Sequence, residues 1–420
     1  MTSKLSIKGG KKTINYKFKR FNTIGNEEIK AVTKVVKSGV LSKFLGEPDP
    51  DFYGGPMVKK FEANCREYFN VKHAITVNSW TSGLTAAVGA LDIEPGDEII
   101  VSTLTMCATA TAILQWNCIP VFADIDPHTF NIDPKSIEKN ISPYTKAIMT
   151  TDIYGQSADM TTIRSIAEKY SLKIISDTAQ SPGSITNGDY SGTLADIGGF
   201  SLNYHKHIHT GEGGVLVTNH DELAERLQLI RNHGEAVVKG NKVKKISNII
   251  GNNFRLGEIE CAIGIEQLKK LSNIVQRRKE IAVKLDKNLS KLEGLEIPYI
   301  SDFNTHSYYV YALKVDYNLI KIHRNKIVEA LLAEGVEVGG SIPLVHQLPM
   351  YQKKIAYGSK GFPWNSDICK RDIDYSSGIC PIAEDIKENR IITLGLCSYE
   401  FTDKDLDLII QAFNKIWENL

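Results

Sequence analysis

The sequence predicts an α/β protein, and three observations favour this class. From Ala74 to Asp177, short apolar segments alternate regularly with segments whose apolar residues have helical spacing. The apolar segments are almost continuous, which is typical of strands buried on both faces of a mostly parallel sheet. The chain has 420 residues, of which 42% are hydrophobic and 24% charged, enough for two domains and a large core. We therefore expect a large domain with a helix-covered, mostly parallel sheet, followed by a smaller C-terminal domain.

Two helices are predicted before the alternation begins. A polar, lysine-rich lead precedes a helix over Asn26–Ser38, which should end at Gly39 because glycine readily adopts the conformation that follows a helix. A turn is expected at Phe52–Pro56. The second helix is predicted over Met57–Phe69, where apolar residues recur every four positions.

The alternating region contains seven predicted strands and the helices that connect them. The strands are Ala74–Asn78, Glu98–Val101, Pro120–Ile125, Lys146–Asp152, Leu172–Asp177, Ile197–Leu202 and Val215–Thr218. The helices between the first five are Ser82–Leu91, Ala108–Trp116, Pro134–Asn140 and Asp159–Tyr170. In such sheets ligands bind at the carboxyl ends of the strands, so the residues that follow each strand are the first candidates for a site.

The C-terminal part is predicted to contain a long helical tract and then a smaller mixed unit. The tract covers Leu256–Leu289, with apolar residues at helical spacing. A strand over Tyr308–Val315 and a helix over Arg324–Glu334 follow. The last helix is predicted over Lys404–Glu418, with Thr402 as its N-cap.

Composition argues against several classes of partner. The formal net charge is +1 with the charges interspersed, so no nucleic-acid partner is indicated, and the basic run Lys239–Lys245 is interpreted as solvated surface. The N-terminus lacks the apolar core of a signal peptide, and no apolar run approaches the roughly 18 residues of a membrane span. We therefore expect a cytoplasmic protein without membrane or nucleic-acid partners.

Cysteine and histidine spacing indicates neither a disulfide framework nor a metal site. No C-x-x-C pair occurs, and an odd number of scattered cysteines favours reduced, mostly buried thiols. His205, His207 and His209 alternate around a lysine, but three imidazoles at this spacing are a weak metal signal, so no metal is predicted. The seven cysteines are Cys65, Cys107, Cys118, Cys261, Cys369, Cys380 and Cys397.

The strongest candidate for chemistry is the stretch Asp196–Gly214. It places one lysine, Lys206, between the apolar run Ile197–Leu202 and a Gly-Glu-Gly-Gly turn that leads into the next strand. A lysine held in a loop between buried strands can condense with an aldehyde, and the glycines allow backbone to approach a bulky ligand. The same pattern also fits a solvated surface lysine, and the choice between the two depends on the other strand ends.

Two of those strand ends carry suitable groups. Asn78–Gly83 follows the first strand and enters a helix, where hydroxyls and free N–H groups can bind an anion, although the same residues fit an ordinary N-cap. Asp177 ends the fifth strand, and Gln180 follows three residues later. A carboxylate there can hold a positively charged ring nitrogen or can cap the next turn.

Six motifs in order, from about Gly39 to the C-terminus, resemble the DegT/DnrJ/EryC1/StrS family of sugar aminotransferases. The motifs are N-S-W-T-S-G-L, P-G-D-E-I-I-V-S-T-L-T-M-C-A-T-A, I-Y-G-Q-S-A-D-M, I-I-S-D-T-A-Q-S-P-G-S, F-S-L-N-Y-H-K-H-I-H-T-G-E-G-G and G-N-N-F-R-L-G-E-I-E-C-A-I-G-I-E-Q-L. The resemblance implies the aspartate aminotransferase-like fold type I, with a seven-stranded sheet and a small α+β domain. It also implies the cofactor pyridoxal 5′-phosphate (PLP).

The resemblance assigns a role to each candidate. Lys206 matches the Schiff-base lysine, Asp177 the acid paired with the ring nitrogen, and Gln180 a residue that reaches the ring hydroxyl. Asn253 matches an asparagine that crosses a dimer interface to the partner's cofactor phosphate, which implies a homodimer. The phosphate itself is expected on Trp80, Thr81 and Ser82, with Ser201 beside them.

Two residues depart from the family pattern. Trp80 replaces a glycine beside the expected phosphate, so its backbone N–H can donate only if the dihedral angles suit a residue with a side chain. Met106 stands where an aromatic residue commonly stacks on the cofactor ring, and a thioether covers a ring more loosely. For His346, in a loop that resembles the family's substrate-side loops, a contact with substrate and an ordinary loop position remain open.

The resemblance implies amino transfer from L-glutamate to a keto sugar, nucleotide-linked, in amino-sugar and surface polysaccharide biosynthesis. Lys206 favours this activity over dehydration, because some dehydratases of the family have histidine at that position. A non-catalytic regulator is the third possibility, although the chain has little length for an added module. The expected parts are an N-terminal segment (1–40) packed on the small domain, a PLP-binding large domain (41–260) and a small domain (261–420).

Overall fold

The computed structural model describes residues 4–420, and its largest element is a seven-stranded sheet. The strands of this sheet are β1 His73–Val77, β2 Glu98–Ser102, β3 Ile119–Ala123, β4 Thr145–Thr151, β5 Lys173–Asp177, β8 Ile197–Ser201 and β9 Gly214–Thr218. Between β5 and β8, the two-residue strands β6 Ile185–Thr186 and β7 Asp189–Tyr190 form a separate hairpin.

The strand order is β1-β9-β8-β5-β4-β2-β3, and β9 alone runs against the other six strands. The near-continuous apolar sequences are explained by burial on both faces, since every residue of β2, β3, β8 and β9 is buried. Because the six parallel strands point the same way, their carboxyl ends meet at one edge of the sheet. That edge is where the motif residues after β1, β2, β5 and β8 converge.

Helices cover both faces of this sheet. They are α1 Asn26–Ser38, α2 Pro56–Phe69, α3 Trp80–Ala90, α4 Cys107–Leu114, α5 Pro134–Asn140, α6 Met160–Tyr170, α7 Asp221–Arg231 and α8 Glu258–Leu268. The start of α2 depends on a residue far along the chain: the buried carboxylate of Glu258 accepts hydrogen bonds from the backbone N–H groups of Met57 and Val58. This contact joins α2 to α8, and both helices pack in one apolar cluster with β9.

The C-terminal region forms a second core around a four-stranded antiparallel sheet. Its strands are β10 Leu295–Glu296, β11 Tyr311–Val315, β12 Val338–Gly339 and β13 Ile391–Leu394, in the order β10-β11-β13-β12. The helices of the C-terminal region, whether or not they pack in this core, are α9 Leu271–Leu289, α10 Tyr317–Ile320, α11 Arg324–Glu334, α12 Pro349–Gln352, α13 Pro381–Asp385 and α14 Asp403–Trp417. Leu5, Ile14 and Phe18 from the N-terminal lead are buried in this core.

One C-terminal segment leaves this core and returns to the large sheet. Apolar residues between 344 and 386 belong to the cluster around the large sheet, among them Tyr351 and Tyr375. Similarly, α1 packs against α8, whereas only the residues before it join the small core. Residues 344–386 and helix α1 therefore pack outside the small core, although the sequence assigned them to the small domain or to the segment packed on it. The domain boundaries after residues 40 and 260 stay a prediction.

Most predicted elements are present, with two informative differences. The helices at Asn26–Ser38, Pro134–Asn140 and Arg324–Glu334 have the predicted limits, and Thr402 caps the last helix. The predicted tract Leu256–Leu289 is two helices, α8 and α9, separated at Lys269–Lys270. The predicted strand at Tyr308 begins only at Tyr311, because the preceding residues bond to the loop after β4 instead of a neighbouring strand. Within residues 4–420, no helix has the length and apolar character needed to cross a bilayer.

Candidate active site

A cavity of about 380 Å³ lies at the carboxyl edge of the large sheet, against the small domain. Its walls come from the loops after β1, β2, β4, β5 and β8, and from residues 309–310, 340–342 and 393 on the small-domain side. Seven of the residues predicted from the sequence line it: Trp80, Thr81, Met106, Asp177, Gln180, Ser201 and Lys206. Residues up to 126 positions apart in the sequence, from Trp80 to Lys206, therefore meet in one place.

Lys206 is a buried cavity lysine, which excludes the solvated-surface interpretation. Its side chain is 8% exposed, and Nζ lies 4.4 Å from the centroid of the Tyr309 ring. Burial lowers the pKa of Lys206 to about 8, although the nearby Asp177 carboxylate acts in the opposite direction. An amine with this pKa is neutral in a substantial fraction of molecules at mildly alkaline pH, as a nucleophile must be.

Asp177 is held in a fixed orientation at the end of β5. Its Oδ1 accepts a hydrogen bond of 2.6 Å from Nε1 of Trp80 and a longer one from the backbone N–H of Ala179. Its Oδ2 accepts a 2.7 Å bond from the Thr109 hydroxyl. The side chain is 4% exposed, so these bonds replace solvation of the carboxylate. The carboxylate is thus an oriented acceptor rather than a simple turn cap.

The beginning of α3 offers backbone donors to an anion. Ser79 is the N-cap, and its hydroxyl accepts from the Ser82 N–H. Trp80 and Thr81 occupy the first turn, where N–H groups have no acceptor within the helix. Trp80 has helical geometry suited to a residue with a side chain, which answers the question raised by the missing glycine. Trp80 is 6% exposed, and its indole N–H points to Asp177.

Three further predicted residues line the cavity: Gln180 offers an amide donor, Ser201 a hydroxyl and Met106 an apolar surface. Oε1 of Gln180 accepts from the Tyr154 backbone N–H, which orients the amide so that its NH₂ group can donate elsewhere. Ser201 is the last residue of β8 and is buried, and its hydroxyl accepts a hydrogen bond from the backbone N–H of Asn203, in the loop that leads to Lys206. Met106 is 58% exposed, and its sulfur accepts from the Ala108 N–H at the start of α4.

The structure adds residues that the sequence did not single out. Thr109 lies within a quoted motif, but only the fold brings it to Asp177. The Tyr309 ring lies under the Lys206 amine, but the sequence around Tyr309 predicts only a strand and no role in a site. His205, which the sequence offered only as part of a weak metal signal, also lines the cavity, and burial together with the charge of Lys206 lowers its pKa to about 4. Among residues 4–420 no cluster of histidine, cysteine and carboxylate side chains is arranged to hold a metal ion.

Three predicted site residues do not line this cavity. Ser82 follows two lining residues of α3, and its backbone N–H donates to the Ser79 hydroxyl. Asn253 is exposed, and its Oδ1 accepts from Nε of Arg255, so it presents its side chain to the outside of this chain. His346 is fully buried, with Nδ1 paired to the Thr103 hydroxyl and Nε2 to Glu384. The structure therefore places His346 outside this cavity, where its ring joins the loop at 345–347 to Thr103 just after β2, and a contact with substrate stays a prediction.

Fold and cavity together define a fold type I PLP-dependent aminotransferase. The model of the DegT/DnrJ/EryC1/StrS aminotransferase family matches residues 22–393, and the chain belongs to this family. It is 34% identical over 402 residues to the spore coat polysaccharide biosynthesis protein SpsC of Bacillus subtilis, covering 94% of this chain and 95% of that protein.

A second relative and a solved structure agree. The GDP-perosamine synthase of Caulobacter vibrioides is 34% identical over 298 residues, which cover 71% of this chain and 79% of that enzyme. The structure of Helicobacter pylori PseC, an aminotransferase involved in the biosynthesis of pseudoaminic acid, superposes with a TM-score of 0.79 at 27% identity. That superposition covers 96% of this chain and all of PseC.

The aminotransferases of this family use PLP, and the cavity has the groups that this cofactor requires. The N–H groups at the start of α3 and the Ser201 hydroxyl suit a phosphate. The oriented, buried carboxylate of Asp177 suits a protonated ring nitrogen. The buried amine of Lys206 suits an aldehyde. The residues present therefore fit the cofactor.

Proposed function

We propose that the protein transfers an amino group from L-glutamate to a nucleotide-linked keto sugar, in cytoplasmic amino-sugar and surface polysaccharide biosynthesis. The observation that carries the proposal is the buried Lys206 amine, which shares one cavity with the oriented carboxylate of Asp177. The names of the relatives support the sugar substrate, since one acts in polysaccharide biosynthesis and another is a GDP-perosamine synthase.

The binding roles follow from the positions of the side chains. Backbone N–H groups of Trp80 and Thr81, with the Ser201 hydroxyl, would hold the cofactor phosphate at the start of α3. Asp177 would hold the proton of the ring nitrogen, and the NH₂ group of Gln180 would donate to the ring hydroxyl. Met106 would cover one ring face loosely. When bound, PLP supplies an electrophilic carbon and a ring that accepts electrons.

Lys206 would also move the proton that amino transfer requires. Its Nζ can take a proton in the neutral form and return it in the charged form, and burial places its pKa near 8, close to neutral working conditions. Proton transfer by a positioned group contributes roughly 10²–10⁴-fold to the rate. Tyr309 covers the amine on one side and keeps water away from it.

The proposal includes a homodimer with shared active sites. Four large apolar side chains within one ten-residue segment lie at the surface: Val36, Val40, Leu41 and Leu45. This segment adjoins the loop that carries Asn253, because the Leu41 carbonyl accepts from the Glu258 N–H and the Leu45 carbonyl accepts from Asn232, which bridges to Asn253. An apolar surface next to an outward-facing asparagine supports Asn253 reaching the partner's phosphate.

The direct test combines the purified protein, PLP, L-glutamate and a panel of nucleotide-linked keto sugars, with products identified by mass spectrometry. We expect a product that has gained an amine, and no product from Lys206→Ala, which should remain folded because the lysine is in a loop. A product that loses a hydroxyl without gaining nitrogen would instead establish the dehydratase. Cofactor binding without any product across the panel would favour the non-catalytic regulator.

A further inference from the structure

We propose that the indole of Trp80 is a positioning residue for Asp177, so that one residue serves both ends of the cofactor site. Its backbone N–H lies at the anion position, while its side-chain N–H fixes the carboxylate that faces the ring nitrogen. The inference rests on the proposed function, because it assigns Asp177 to the cofactor ring.

The first support is the geometry of the bond. The distance from Nε1 of Trp80 to Oδ1 of Asp177 is 2.6 Å, a close contact for a nitrogen donor. Both side chains are buried, so water does not compete for either group. Thr109 holds the other carboxylate oxygen, and the two donors from α3 and α4 therefore prevent the group from rotating.

The second support is that glycines make room for the ring. A Cβ atom at Gly83, one turn along α3, would lie 2.8 Å from the Trp80 ring. A Cβ at Gly199, on β8, would lie 2.4 Å from the ring and also too close to the Val215 carbonyl. Neither glycine has a positive φ, so close approach, rather than backbone conformation, accounts for the absence of a side chain. The Trp80 side chain thus occupies a slot shaped for it.

The third support separates this role from simple packing. An apolar ring would fill the same slot, but the only hydrogen-bond donor that indole has is aimed at the carboxylate of the site. A donor on Asp177 shares the negative charge that would otherwise act fully on the ring nitrogen. Removal of the donor should therefore change the ionisation of the bound cofactor, which loss of packing alone would not do.

The test compares Trp80→Phe, which keeps an aromatic ring without the N–H, with Trp417→Phe, which removes an indole N–H bonded to the Glu293 carbonyl far from the cavity. Thr109→Val removes the donor from the other carboxylate oxygen and guards against a folding defect specific to position 80. Three quantities are measured: the dissociation constant for PLP, the pH midpoint of the visible absorption band of the loaded protein, and the thermal midpoint of the apoprotein.

We expect Trp80→Phe to weaken PLP binding about tenfold, the usual size for a hydrogen bond to a charged group. The pH midpoint should rise by about half a unit or more, because the carboxylate charge is no longer shared with the indole. Thr109→Val should shift both quantities in the same direction, and Trp417→Phe should shift neither. The thermal midpoints should stay within a few degrees of the parent.

Wild-type PLP affinity and an unchanged pH midpoint in Trp80→Phe would overturn the positioning role, as would tighter binding, which would make the ring an obstruction. These measurements need no sugar substrate. A parent protein that develops no visible band would overturn the proposed function itself, whereas a normal parent band with an unaltered Trp80→Phe variant overturns this inference alone.

Discussion

The amine of Lys206 differs from an ordinary lysine because the protein surrounds it. A free lysine has a pKa near 10.4 and is almost wholly charged at neutral pH. Burial against Tyr309 brings the pKa to about 8. The reactive neutral form is therefore present at mildly alkaline pH, so this buried side chain can act as a nucleophile there.

We expect the rate of PLP attachment to the apoprotein to rise with pH and to level off above a midpoint of about 8, because only the neutral amine attacks. Stopped-flow absorbance at saturating cofactor measures this profile. Lys206→Arg, which keeps the positive charge, should show no attachment at any pH. A midpoint close to that of free lysine would contradict the burial of this side chain.

Sequence alone was sufficient for the residues that follow strands and insufficient for those oriented by distant contacts. Lys206, Asp177 and Gln180 could be found because each follows a predicted strand of the same sheet. The position of His346 depends on Thr103 and Glu384, both far from it in sequence. The orientation of the Trp80 indole likewise depends on Asp177, and neither long-range pairing leaves a periodic signal in the chain.

Helices were predictable where local signals mark their ends. Asn26–Ser38 ends at a left-handed glycine, and Pro134–Asn140 begins after Asp133, whose carboxylate accepts from the Lys135 N–H. The strand predicted over Tyr308–Val315 begins three residues later, at Tyr311. Tyr308 has a left-handed backbone conformation, which an aromatic residue rarely adopts and which its sequence therefore does not predict. Capping residues next to a helix therefore predict where it ends, whereas no such neighbouring residue marks the start of a strand like β11 at a domain boundary.

Glu334, at the end of α11, joins the N-terminal lead to the small domain. Its carboxylate accepts from the backbone N–H groups of Ser6 and Thr13 and pairs with Lys415 on α14. Burial by itself would raise the pKa of Glu334, but the Lys415 ammonium and the backbone donors hold it below its usual value. Its contribution to stability is accordingly complete at neutral pH and lost as pH falls through that lowered pKa.

Glu334→Gln should therefore lower the free energy of unfolding by about 2–3 kcal/mol at pH 7, because it leaves the buried Lys415 without a counter-charge. The difference from the parent should shrink in acid, where the parent carboxylate is itself protonated. Urea unfolding at pH 7 and at a pH below the lowered pKa of Glu334 measures both effects. The exposed Glu329 on the same helix provides the control, since Glu329→Gln should change stability little at either pH.

The homodimer predicted from Asn253 requires an exposed apolar surface, which several side chains of the segment 36–45 form together. Leu45 is 46% exposed, and its hydrogen bonds are made by its backbone: the N–H donates to the Asp51 carbonyl and the carbonyl accepts from Asn232. A substitution of its side chain therefore leaves these bonds intact. The family resemblance indicated a dimer, but the apolar segment at 36–45 could be identified only when its exposure was known. Strand order likewise required the structure, since β9 pairs with β1, 141 residues before it.

Leu45→Lys should convert the dimer to monomer and weaken PLP binding, because the partner's asparagine is then lost from each cavity. Asn253→Ala should weaken PLP binding while the protein stays dimeric. Sedimentation velocity and cofactor titration measure the two properties separately. Leu319→Lys, at a more exposed position on α10, should alter neither property, and a monomeric parent protein would overturn the shared-site proposal.

The return of residues 344–386 to the large sheet has a mechanical consequence. Domains that close over a ligand usually swing about a few connecting residues. Here the chain passes from the small sheet to the large core and back again, and the Val345 N–H bonds to the Thr103 carbonyl beside the cavity. This crossing ties the small sheet to the large core on both sides of the segment, so we expect the two cores to move little relative to one another when a ligand occupies the cavity.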